Sequence, residues 1–118
     1  MLENKCEIRP ISGRGQVITY KKTNEVWDIR WGKVHFEITD TDIQEILNNF
    51  FIDSEEWYLL GSSMDNPIKG GLGEYVQNHI RSLTPRHASA IAAILYNENL
   101  VSIKGKKPIY LKKSDKTY

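Results

Sequence analysis

Hydrophobic residues along the chain change period several times, and each change marks an element. Trp27, Ile29 and Trp31 alternate with polar residues before Gly32-Lys33, and Val34, Phe36 and Ile38 alternate after it. Period-two alternation on both sides of a two-residue break predicts a β-hairpin, and glycine at the first central position suits a type II′ turn. One hairpin face is then apolar, and the other carries Asp28, Arg30, His35 and Glu37. Upstream, "QVITY" (16–20) is rich in β-branched and aromatic residues and reads as a strand closed by "KKTN".

After residue 38 the period becomes helical. Ile43, Ile46, Leu47 and Phe50 lie at i, i+3, i+4 and i+7, which predicts a helix over 41–51 that covers the apolar hairpin face. Thr39 and Asp42 have the spacing of an N-terminal cap. "EEWYLLGSS" (55–63) fits a short strand or a bend equally well. Pro67 and the glycines at 70, 71 and 73 predict a loop, followed by a helix over 73–81. "SLT" is a break, Thr84 and Pro85 suit a helix start, and a second helix is expected over 85–97. "LVSIKGKKPIYLKK" (100–113) reads as two strands joined by a lysine-rich turn. Residues 1–15 read as a loose lead-in containing Pro10, Gly13 and Gly15, and 114–118 as a frayed tail. The expected whole is a single α+β domain over 1–118, with a small antiparallel sheet, a covering helix, a helix–turn–helix-like pair and a C-terminal β-hairpin.

Charge sharpens this picture. The chain has 118 residues and a net charge of +1, but residues 37–65 carry eight acids and no Lys or Arg. Residues 66–118 carry nine bases against three acids. An acidic face and a basic face can therefore coexist in a nearly neutral protein. The single cysteine, Cys6, excludes an intrachain disulfide and a Cys-rich zinc site. No apolar run approaches the ~20 residues of a membrane-spanning helix, so the expectation is a cytoplasmic protein with no membrane partner.

Helix, tight turn, helix and basic hairpin follow one another in "LGEYVQNHIRS", "LT", "PRHASAIAAILYNEN" and "LVSIKGKKPIYLKK". Residues 73–113 in this order resemble the helix–turn–helix and wing of winged-helix DNA-binding domains. That resemblance implies that the second helix enters a major groove and the hairpin lies along the phosphates. It would turn Arg86, His87, Ser89, Ala90, Ala93 and Asn97 toward the groove and place Lys104, Lys106 and Lys107 at the wing tip. Arg81, Lys112 and Lys113 complete the basic set. Against this stands a simpler reading, in which the Ala- and Ile-rich helix 85–97 is a core helix and the lysines form a solvated turn.

Other chemistries fit less well. "KGGLGE" (69–74) precedes a helix but has neither P-loop nor dinucleotide spacing, so a tight helix entry is favoured over an anion site. "HFE" (35–37) lacks the P-C-x-x-C that zinc deaminases need. Asp28 and Glu37 occupy a polar strand face, where solvated charge is the ordinary explanation, and the alternating aromatics read as core rather than base platforms. No catalytic residue, metal ligand or cofactor is expected. Nucleic-acid binding through the basic C-terminal half leads. The first alternative is a protein-interaction module or homodimer using the acidic 37–65 segment or an exposed aromatic. The second is the recognition part of a larger nucleic-acid enzyme.

Overall fold

In the computed structural model, which describes residues 5–13, 15–64 and 68–114, the alternating segments form a meander. Strands β2 (Ile18–Thr23), β3 (Val26–Trp31) and β4 (Val34–Thr39) pair antiparallel in that order. Trp27 lies opposite Ile38 and Ile29 opposite Phe36, all four buried, while Asp28 lies opposite Glu37 on the solvent face. Gly32 has φ +61° and Lys33 stays out of the left-handed region, as a type II′ turn requires.

The loose lead-in needs correction. Lys5–Ile8 is a strand, β1, paired with β2 at the sheet edge. Its side chains are only exposed or half-buried, so the segment carries no strong hydrophobic alternation and gains its order from the partner strand. Arg14 and residues 115–118 lie outside the described residues; Ser114 still donates its N–H to Leu100 O, at 2.9 Å.

Helix α1 (Asp40–Glu45) starts with a full capping box. Thr39 Oγ1 accepts from Asp42 N–H, and the Asp42 carboxylate accepts from Thr39 N–H. Asp40 also accepts from the indole N–H of buried Trp27 and pairs with Lys22, and those bonds hold its carboxyl below the usual carboxylate range. Two of the acids in the 37–65 stretch are therefore structural. The helix does not continue regularly to residue 51, because it widens into a π-helical turn over Ile46–Phe50.

The C-terminal half contains β5 (Tyr58–Leu59), α2 (Leu72–His79), α3 (His87–Asn97), β6 (Val101–Lys104) and β7 (Tyr110–Lys113). The ambiguous 55–63 segment thus supplies a two-residue strand, and the second sheet has the order β5-β7-β6. Helix α3 joins the two sheets. At its start His87 meets Phe36 of β4 edge-on, and at its end Asn97 and Glu98 bond the Tyr20 hydroxyl of β2. Ala88 and every residue from Ala90 to Leu95 are buried, and the alanines let neighbouring backbone approach closely. A Schellman motif ends the helix: Leu100 N–H donates to Leu95 O and Asn99 N–H to Tyr96 O, with Asn99 at φ +64°.

Candidate nucleic-acid interface

The second sheet has one covered and one open face. Val101, Ile103 and Leu111 alternate toward the core. Register sets Ser102 opposite Lys112, Lys104 opposite Tyr110 and Leu59 opposite Tyr110 on the other face. Trp57, one residue before β5, falls on that open face as well. Lys104 Nζ lies 4.5 Å from the Trp57 ring centre and 5.7 Å from that of Tyr110, and Lys112 Nζ lies 5.6 Å from Trp57. The strands are joined through Gly105 (φ +78°), where a Cβ would sit 2.5 Å from Pro108 O, so only glycine fits. That tight tip holds Lys106 and Lys107 in solvent. Among the described residues no carboxylate pairs with Lys104, Lys106, Lys107 or Lys112.

The basic residues named from the sequence separate into two groups. Lys104 and Lys112 share the open face of the hairpin, with Lys106 and Lys107 at its tip. Lys113 alternates to the other side, opposite Val101, and is half-buried. Arg81 is exposed in the bend after α2, and Arg86 lies over Trp31, 5.3 Å from its centre, at the end of β3 in the first sheet. His87 and Ser89 are engaged within the fold. Ser89 Oγ donates to Ser62 Oγ at 2.8 Å, and His87 is held between Phe36 and Thr84. Of the small residues that the winged-helix resemblance turns toward a groove, Ala90 and Ala93 are buried. Trp57 and Tyr110 were missed as site residues. Tyr110 could have been found from its alternation with Lys112, whereas Trp57 joins them only through the pairing of β5 with β7.

Thr84 and His87 are bonded in the turn that leads into α3. Thr84 N–H donates to His87 Nδ1 at 3.0 Å, and Thr84 Oγ1 lies 2.9 Å from the same atom. Nδ1 must be unprotonated to accept. Burial lowers the His87 pKa below 6.5, and the charge of Arg86 adds to the shift. The unfolded chain then takes up this proton at a higher pH than the folded one. The contribution of His87 is complete above about pH 6.5 and is lost as pH falls through the folded-state value. Urea denaturation at pH 7.5 and pH 5 should show a larger loss at low pH for the wild type than for His87→Gln, whose amide oxygen accepts at both. Equal losses would remove His87 as the cause.

Asp28 and Glu37 face each other across β3 and β4, but no group of three or more potential metal ligands exists among the described residues. In the glycine loop, Gly73 N–H donates to Leu60 O and Gly70 N–H to the Glu74 carboxylate. No helix in the described residues is long and apolar enough to cross a membrane. Comparison with protein-family models, with curated proteins and with solved structures finds no significant match for the chain.

Proposed function

We propose that the protein is a small non-enzymatic binding module for single-stranded nucleic acid, held on the open face of β5, β7 and β6. The observation that carries this reading is the Trp57–Lys104–Lys112 cluster beside the exposed Lys106-Lys107 tip. Aromatic rings interleaved with lysines are what a flexible polyanion with stackable bases requires, each stacked base being worth ~1–3 kcal/mol. An exposed cation–π contact is worth only ~0.5–1 kcal/mol, so an ammonium can leave Trp57 for a phosphate as a base takes its place. Single strands are favoured over duplex because Ala90 and Ala93, at the middle of the α3 face that would have to enter a major groove, are buried.

The test is fluorescence anisotropy of labelled single-stranded and duplex oligonucleotides at 50 and 200 mM salt. Four lysine–phosphate contacts give a slope of about −3 in log K against log salt, or about 50-fold weaker binding across that range. Changing Lys104, Lys106, Lys107 and Lys112 together to Ala should flatten the slope, and Trp57→Ala should weaken binding by about 5- to 150-fold without changing it. Flat titrations of the wild type at 50 mM salt would sink the reading. They would favour a protein-interaction module instead, for which the supporting observation is Ile52, 78% exposed beside the acids Asp53, Glu55 and Glu56.

A further inference from the structure

A second concavity lies where the π-helical turn, β5 and α2 meet, away from the lysine-bearing face. Its volume is about 210 Å³, below the ~300–1,000 Å³ of pockets for drug-sized ligands, so it suits a single ring system. Its walls are aromatic. Phe50 lies 5.2 Å from Tyr58 and 5.5 Å from Tyr75, and Tyr75 stacks on His79 at 4.1 Å. The π-helical turn adds Phe50 and Asn49 to this lining, and such turns often occur at functional sites. The polar side chains of the lining include the carboxamides of Asn49, which bonds Tyr75, and of Asn78, the carboxylate of Glu74, one oxygen of which accepts from Gly70 N–H, and the imidazole of His79. Among the described residues no lysine or arginine lines it.

We infer that this cleft binds one amino-bearing nucleobase, of the adenine or cytosine type. A carboxamide presents a donor and an acceptor in one plane, matching the amino group and ring nitrogen of such a base, and a carboxylate accepts from an exocyclic amine. Uracil and thymine carry no amino group to donate to Glu74. With no lysine or arginine among the described lining residues, recognition is of the base, and any phosphate stays outside. The base can come from a mononucleotide or from a strand. The inference does not rest on the lysine face, because the two sites lie on different surfaces of β5: Trp57 belongs to the open face, and Tyr58 to the covered one.

The experiment is an amide-resolved NMR titration of the full chain with adenosine, adenosine monophosphate, cytidine and uridine, repeated with a short oligoadenylate. Saturable shifts at Asn49, Gly70, Gly71 and Asn78 are expected, with adenosine and its monophosphate within about threefold of each other and uridine at least tenfold weaker. Asn78→Ala, at an exposed position, should weaken adenosine at least fivefold while the rest of the spectrum is unchanged. The variant with Ala at Lys104, Lys106, Lys107 and Lys112 should bind adenosine like the wild type, even if no oligonucleotide binds the open face. Oligoadenylate moving the same four amides would identify a strand as a source, and mononucleotides acting alone would identify free nucleotide. A monophosphate much tighter than adenosine, uridine equal to adenosine, or no saturable shift at these amides would each overturn the assignment.

Discussion

Gly73→Ala is expected to cost about 3 kcal/mol or more and to lower the melting temperature by roughly 10 °C. Gly73 sits in the first turn of α2, where a Cβ would lie 2.1 Å from Gly61 O and 3.1 Å from Pro85 Cβ. A separation of 2.1 Å is not a contact that side-chain rotation can relieve, because the opposing atom is backbone. That backbone is itself tied on both sides: Leu60 N–H donates to Ile109 O at 3.0 Å, and Leu60 O accepts from Gly73 N–H at 2.9 Å. Moving α2 outward would therefore break the bond that positions β5 against it. Gly70→Ala is the control. Gly70 has φ +85° with nothing within 4 Å of a Cβ, so only left-handed strain of about 1 kcal/mol applies. Thermal denaturation of both variants separates a steric cause from a conformational one. Equal small losses would show that α2 does not press on the 60–61 segment as closely as described.

That close approach also shows where sequence reading stops. The run "KGGLGE" announced glycines at a helix entry, but not that Gly71 and Gly73 lie against the 59–61 segment while Gly70 does not, because that segment is distant along the chain. Signals that live within a few residues were legible. The Gly32-Lys33 turn, the Thr39–Asp42 cap and the approximate positions of α2 and α3 follow from period and cap chemistry. Elements defined by a partner were not. β1 has little hydrophobic signature, β5 has two residues, and each is a strand because β2 or β7 is beside it. The π-helical turn left no local mark either. For the site, the lysines of the hairpin could be named from their run, and their alternation predicts which of them share a face. The aromatic half of the cluster could not, since Trp57 meets Lys104 and Lys112 only after the sheet has formed.

The burial of α3 carries the second large expectation. Ile94→Ala should destabilise by about 3–4 kcal/mol, in the range for an isoleucine truncated in a core that cannot collapse around the gap. Ile94 is fully buried, and its neighbours on the helix from Ala90 to Leu95 are buried too, so truncation leaves a gap closed to solvent. The helix is also fixed at both ends, by His87 against Phe36 and by Asn97 and Glu98 on Tyr20, which limits any inward shift to fill the space. Tyr96→Ala is the comparison. Tyr96 is 48% exposed on the same helix, and its loss should cost less than about 1 kcal/mol. Urea unfolding with a common m-value gives both numbers. A helix that read bases in a groove would need an exposed face, and residues on that face would tolerate truncation with loss of binding and little loss of stability. Ile91, Ile94 and Leu95 on one side, and Ala90 and Ala93 on the other, leave no such face in the middle of α3. A cost below about 1 kcal/mol for Ile94→Ala would mean that α3 is not the pillar between the sheets, and would return its central residues to the list of surface contacts.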